Sequence, residues 1–403
     1  MALSNFILNF ALMKKKICFL TDSIFSFGGV QRVTAVIAKA LTKNYDVTIM
    51  SFDKPEIQDT SLYDLYEVNI DYKFLEYPPQ KSVKKTFYKL YSGWYIKFQP
   101  KARFFSNLYA KSSFPSELRK VLLDNLSKER YDIIIGIHAP LSARLATIKE
   151  HFPNARIIGW IHNSFDALFS YNSMYIGHER KRHYIYQFKK LDDVIVLCHH
   201  DADLYHKYDM TFTPKVIYNP LTLKPGNPSN GDSKLFLAVG RFSKKHKGFD
   251  LLIEAFNIFA KNNSEWKLDI VGEGVEEPLY KSLIKKYKLE KRIIIHPFTN
   301  NIQDYYSKAQ VYVLSSRWEG FGLVLVEAMS HGLPVVSSDL PTSQEIMGDF
   351  GLYFKNEDIN DLALKLEEST KIDWQSKSKE AFDIANRFDI EKVVAQWREI
   401  IED

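Results

Sequence analysis

From Arg317 to His331 the chain reads Arg-Trp-Glu-Gly-Phe-Gly-Leu-Val-Leu-Val-Glu-Ala-Met-Ser-His, with Glu319 and Glu327 bracketing an otherwise apolar run. Burying a carboxylate in such a run is costly unless a partner meets it. The Gly-Phe-Gly turn, followed by good helix formers, places Glu319 in a loop and Glu327 about two turns into a helix. The N–H groups of Phe321, Gly322 and Leu323 then open that helix, where an anion is favoured. Such a segment can cradle a phosphate with an acid on either side, which suits a sugar nucleotide. The plainer alternative is a core helix whose Glu327 is tied down by a nearby Lys or Arg.

Other residues could share that chemistry. Gly240-Arg241 follows an apolar strand, and Lys244, Lys245 and Lys247 lie on the loop leading to Gly248. Fixed cations above a strand end can neutralise a diphosphate; if that diphosphate departs in a reaction, they favour the transition state over the ground state. Lys244 and Lys245 read as solvated surface charges. His162 ends a strand and precedes Asn163-Ser164, where polar groups face the ligand side in α/β folds. Gly28-Gly29 forms a tight turn before a helix but does not fit Gly-x-Gly-x-x-Gly, which disfavours a nicotinamide enzyme. Asp201-Ala-Asp203 has the Asp-x-Asp spacing of a metal site, yet it follows a strand and opens a helix. There Asp serves as a cap or first-turn charge.

Alternating strands and helices must position these groups. Lys16–Thr21, a turn, a helix through Val33, Val36, Ile37, Ala40 and Leu41, and Asp46–Ser51 make a βαβ opening. Further strands are expected at Ile133–Ile137, Arg156–Ile161 and Val194–Cys198. The Pro-rich, loop-like stretch 206–233 reads as a linker. A second α/β series then runs through Leu235–Val239, Leu268–Val271, Ile293–Ile295, Val311–Leu314, Pro334–Ser337 and Leu352–Phe354. Gly332 is expected to cap the Glu327 helix.

At 403 residues the chain is too long for one ordinary core. Its 45% hydrophobic and 26% charged content is that of a globular protein, and no run reaches the eighteen apolar residues of a spanning helix. The first twelve residues are apolar, but Lys14–Lys16 follow them, the wrong order for a secretory signal, and Met13 opens a normal first strand. That extension reads as a start-site artefact or a small membrane contact. Cys18 and Cys198 lack metal-ligand spacing, which points to a reducing cytoplasm.

The net charge of +5 is unevenly spread, with 24 Lys+Arg against 28 Asp+Glu from Leu221 onward and 30 against 21 before it. Between Lys81 and Lys120, ten basic residues meet one acid, Glu117, interleaved with Phe87, Tyr88, Tyr91, Trp94, Tyr95, Phe98, Phe104, Phe105 and Tyr109. Cations beside amphipathic aromatics suit an anionic membrane surface; the alternative is a solvated face with aromatics in the core. No nucleic-acid motif accompanies them.

The Glu-x7-Glu segment resembles the signature of the retaining, GT-B-fold glycosyltransferases ("glycosyl transferases group 1"). The resemblance covers most of the chain from Met13 onward and is densest from Ala238 to Glu345. It implies an α/β fold of two Rossmann-like domains facing across a cleft, at 13–205 and 234–389. The last helix, near 390–403, would return to the first domain. It also implies that Arg241 and Lys247 hold the departing diphosphate, so no metal and no other cofactor is expected. Glu319 would hold donor-sugar hydroxyls and Glu327 the ribose diol, chemistry a carboxylate suits. His296-Pro297-Phe298 resembles the base-binding turn, Gly28-Gly29 the turn that closes on the diphosphate, and His162 a histidine near the reacting sugar. Whether His162 positions the acceptor, bonds the sugar or moves a proton stays open.

The expected activity is transfer from a nucleoside-diphosphate sugar, UDP by default, to a glycan hydroxyl in bacterial surface polysaccharide synthesis. The acceptor would be undecaprenyl-linked, and the enzyme would work at the inner face of the cell membrane. A non-catalytic GT-B subunit supporting a partner transferase is the alternative. A sugar-nucleotide epimerase has only architecture in its favour.

Overall fold

The computed structural model describes residues 14–77, 82–171, 173, 175–228 and 231–403, with side chains from residue 86 in the helix that opens at Ser82. The apolar first twelve residues, Met13, Lys81 and the Lys244 and Lys245 side chains lie outside the described part. The chain forms two compact units, one running through Ile217 and including Val394–Asp403, the other Tyr218–Val393.

The first unit has seven parallel strands: β1 Lys16–Thr21, β2 Asp46–Ser51, β3 Asp71–Phe74, β4 Ile133–Ile137, β5 Arg156–Trp160, β6 Asp193–Val196 and β7 Lys215–Val216, in the order 3-2-1-4-5-6-7. Register Ile17↔Val47 and Ile17↔Ile133 shows β1 paired on both sides. Continuous apolar runs form these central strands because helices cover both faces of the sheet. Between them lie α1 Gly29–Leu41, α2 Ser82–Phe98, α3 Arg103–Ser113, α4 His138–Ala146, α5 Lys181–Phe188 and α6 His199–Tyr208. α2 and α3 pack through stacked Tyr95 and Tyr109, 4.3 Å apart, and Ser106 Oγ meets His183 Nδ1 on α5 at 2.9 Å.

The second unit has six parallel strands: β8 Leu235–Val239, β9 Lys267–Val271, β10 Ile293–His296, β11 Val311–Leu314, β12 Val335–Ser338 and β13 Leu352–Phe354, ordered 10-9-8-11-12-13. Helices α7 Lys244–Lys247, α8 Phe249–Phe259 and α9 Leu323–Met329 flank its centre. Both sheets therefore share one doubly wound order. The strand sequence reverses between β1 and β4 in one and between β8 and β11 in the other, the place where such folds bind ligands.

Three expectations shift. The 206–233 stretch is not all connector, because α6 runs to Tyr208 and β7 adds to β6. Glu327 sits little more than one turn into α9, since Gly322 at φ 84° delays the helix to Leu323. The basic loop after Gly240 coils into α7. Gly332 does close the Glu327 helix: at φ 70° it donates to Met329 O (3.0 Å) while Leu333 donates to Ala328 O (3.1 Å), a Schellman pattern. The last helix, α10 Ile390–Glu402, belongs to the first unit from Val394 onward, as the resemblance implied. Trp397 packs edge-on against Trp160 at 4.7 Å, and Lys15 Nζ donates to Ile401 O at 2.9 Å.

Candidate active site

In the second unit the segments after β8 and β11 are stapled together. Gly240 N–H donates to Val271 O and Phe242 N–H to Glu273 O, extending the strand pairing past β8. This needs Gly272 and Gly274, at φ 153° and 151°, because a Cβ on either would press on the Gly240 or Phe242 backbone. Phe242 turns into the core while Arg241 is exposed. The Lys247 stem packs over Gly240, so a side chain at 240 would crowd it. Ser315 Oγ donates to Lys247 O (2.9 Å), Arg317 N–H to His246 O (2.7 Å), and the Arg317 guanidinium grips both Asp250 oxygens (3.0 Å each).

That staple brings Lys247 and Glu319 together. Lys247 Nζ and Ser316 Oγ both donate to Glu319 Oε1 at 2.6 Å. His246 Nε2 lies 3.7 Å from Oε2, and its ring stacks on Trp318 at 3.8 Å and 6°. Glu319 is only 8% exposed; burial alone would raise its pKa, but the Lys247 ammonium beside it outweighs this and holds the carboxyl well below the usual range.

Glu327 is 2% exposed and has different partners: Tyr306 OH donates to Oε2 (3.0 Å) and Thr222 Oγ1 to Oε1 (3.4 Å). The buried Tyr312 hydroxyl, on β11, is kept protonated by burial first and then by the nearby charges of Glu319 and Glu327. Phe321 packs on Tyr218 (6.1 Å) and Phe388 (5.6 Å), so its side chain anchors the turn that leads into α9. Gly322 takes the left-handed step and Leu323 starts α9. Phe298, 44% exposed, follows the edge strand β10, away from β8 and β11 in the sheet order.

The first unit carries different groups past its strand ends. Gly28 N–H donates to Tyr63 OH (3.2 Å), and Gly29 opens α1. His162, just past β5, is 6% exposed, and neither ring nitrogen has a hydrogen-bond partner among the described residues. Its ring lies 4.3 Å from Trp160 and 5.5 Å from His138, which leaves β4 with φ 71°. Burial, then His138, pushes the His162 pKa well below its ordinary value, so the imidazole is neutral at pH 7. Asp201 is turned inward from the first turn of α6; its carboxylate accepts from Phe165 N–H (2.9 Å), and burial raises its pKa to about 6.

Sequence reasoning missed His138, His246, Trp318, Ser316 and the Arg317–Asp250 pair. It also passed over Val271-Gly-Glu-Gly274, whose two glycines after a strand were a readable sign of close backbone approach.

Comparison with known proteins decides the family. A model described as "Glycosyl transferases group 1" matches residues 221–387, and one described as "Glycosyltransferase Family 4" matches 27–224. The chain belongs to the glycosyl transferases group 1. An uncharacterized glycosyltransferase of Haemophilus influenzae is 28% identical, over 96% of this chain and 100% of that protein. An N-acetylgalactosamine-N,N'-diacetylbacillosaminyl-diphospho-undecaprenol 4-alpha-N-acetylgalactosaminyltransferase of Campylobacter jejuni is 32% identical, over 38% of this chain and 44% of its own. Among solved structures, Anabaena HepE in complex with UDP superposes with a TM-score of 0.72 at 19% identity, covering 96% and 99% of the two chains. The fold is that of the GT-B glycosyltransferases, and the chain is a glycosyltransferase.

Proposed function

We propose that this glycosyltransferase moves a sugar from UDP to a hydroxyl of a lipid-linked glycan, with retention of configuration and without a metal. The Lys247–Glu319 pair at the strand reversal of the second sheet carries this reading. As the bond from C1 to the diphosphate breaks, the acceptor oxygen bonds C1 and its proton passes to the departing phosphate. Retention by front-face attack follows from the family resemblance. Arg241 and Lys247 meet the charge that builds on the diphosphate, Glu319 fastens the sugar hydroxyls and Glu327 the ribose diol. A neutral His162 both accepts and donates, which suits a bond to a substrate hydroxyl better than a role as a cation. The UDP complex of HepE and the acceptor named for the Campylobacter relative support the donor and acceptor classes.

The basic-aromatic stretch supports a place at an anionic membrane face. Tyr91 and Tyr95 of α2 turn toward α3, while Phe87, Leu90 and Phe98 on the same helix stand 60–70% exposed. Phe104 on α3 is 70% exposed, and Lys97, Lys101 and Arg103 flank the stripe. Among the described residues no helix is long and apolar enough to cross a membrane. An in-plane helix with cations over the headgroups fits this pattern.

A panel of nucleotide sugars scored by thermal stabilisation tests the donor. A ligand at a hundred times its Kd adds about 2.7 kcal/mol. UDP-sugars are expected to raise the melting temperature and to be turned over by the chain alone. Stabilisation without any turnover or hydrolysis would favour the non-catalytic subunit instead.

A further inference from the structure

Glu319 is served unequally. Its Oε1 holds two short hydrogen bonds, from Lys247 and Ser316, while Oε2 faces His246 Nε2 at 3.7 Å. That gap exceeds hydrogen-bond reach by about half an ångström. His246 Nε2 is buried and, among the described residues, has no hydrogen-bond partner within reach. A buried imidazole nitrogen left beside a carboxylate is poised, since a small approach would satisfy both groups.

The ring is otherwise confined. Trp318 covers one face in a parallel stack, and Arg317 N–H holds the His246 carbonyl while its guanidinium is clamped by Asp250. Among the described side chains, the charged groups facing His246 are Lys247 from its own turn and Glu319 from the segment after β11; Arg317, on that same segment, is paired to Asp250 and Glu357. Burial first, then Lys247, lowers the His246 pKa, and Glu319 acts the other way. With Lys247 turned to Glu319, the imidazole is neutral.

A diphosphate alters that balance. It draws Lys247 toward itself and cancels its charge, so Glu319 loses its main partner and His246 its repelling neighbour. We propose that His246 is a positioning residue that takes over Glu319 on donor binding, closing Nε2 onto Oε2 as it accepts one proton from solvent. Glu319 then stays ionised and aimed at the sugar while Lys247 attends to the leaving group. The inference rests on the reading of Lys247 as a diphosphate ligand, but it makes a separate demand: nucleotide binding must carry a proton with it.

UDP is the probe, titrated calorimetrically into the full chain at pH 7.5 in buffers of different ionisation enthalpy. The wild type is expected to take up more protons per UDP than His246→Gln, by up to one. His246→Gln, whose amide can still donate to Oε2, should keep kcat within about tenfold. His246→Leu should lose more than tenfold in kcat with a smaller change in donor KM, and Trp318→Leu should fall between. Equal proton uptake by wild type and His246→Gln, both binding UDP, overturns the inference and leaves the donor reading standing. Equal kcat in His246→Gln and His246→Leu, both folded by melting temperature, also overturns it. A wild type that does not bind UDP removes the donor reading and this inference with it.

Discussion

The two units build the same strand order and furnish their strand ends in different ways. After β8 and β11 the second unit sets Lys247 against Glu319, adds Ser316 and His246, and fixes both segments through Arg317 and Asp250. After β4 and β5 the first unit offers His138 and His162, each with its pKa lowered chiefly by burial. Where charge must change during a reaction, fixed charges pointing at it do the work. Where a hydroxyl must be held, a neutral group that donates and accepts is enough. On the proposed function, one backbone plan would support a leaving-group site and a hydroxyl site through side chains alone.

The sharpest way to break this contrast is at Lys247. Lys247→Ala should lower kcat/KM at least about a hundredfold, the usual result of removing one group from such a charge-stabilising set. His162→Ala should cost less, because it removes a hydrogen bond and no charge. Comparable losses, measured by steady-state kinetics on the same donor, would dissolve the distinction. The two acids sharpen it further. Glu327→Ala is expected to weaken UDP binding about tenfold or more by calorimetry, whereas Glu319→Ala should mainly reduce turnover. Normal kinetics in both would remove the site assignment.

A smaller effect concerns the outer face of the first unit. Replacing Phe87, Leu90 and Phe98 together by Ser should weaken co-sedimentation with anionic liposomes about tenfold, with little change in melting temperature because these side chains are exposed. Binding to purely zwitterionic liposomes just as tight, or unchanged by the substitutions, would count against the membrane role.

The smallest effect is a difference in acid sensitivity. His162 and His183 are both buried, and burial is the first cause of their lowered pKa values, that of His183 to about 3. A His depressed in the folded state is protonated first in the unfolded chain, so stability is lost as pH falls below about 6.5. The loss is about 1.4 kcal/mol per pH unit for each such group. Asp201, raised to about 6, works in the opposite direction and offsets part of this between pH 6 and 4. Glu319 has a depressed pKa, so its contribution is present above about pH 4.5 and is lost only in stronger acid. The second unit's His246 and His331 are also lowered chiefly by burial, so both units loosen in acid. Hydrogen exchange between pH 7 and 5 should show protection around His183 falling, and His183→Gln should reduce that fall while leaving the second unit's loss unchanged.

Much of this architecture is legible in the sequence, and the exceptions have physical reasons. The central strands read clearly because parallel strands covered on both faces are continuous apolar runs, as in Ile133–Ile137. Asp71–Phe74 and Lys215–Val216 did not, because edge strands this short carry too little pattern. In the site, Glu319, Glu327 and Lys247 announce themselves as charges in apolar or glycine-bounded segments. Their partners do not. His246 and Trp318, or Arg317 and Asp250, meet only after two strands far apart in sequence become neighbours, and no local pattern encodes such a pairing.

Lys247 and Glu319 are expected to divide the donor between them, and calorimetry of UDP against a UDP-sugar the enzyme turns over tests that division. Lys247→Ala should lose affinity for both ligands. Glu319→Ala should bind UDP like the wild type but lose whatever extra affinity the sugar confers. If Lys247→Ala, shown to be folded, binds UDP as tightly as the wild type, the charged pair is not the donor's grip and the account is wrong.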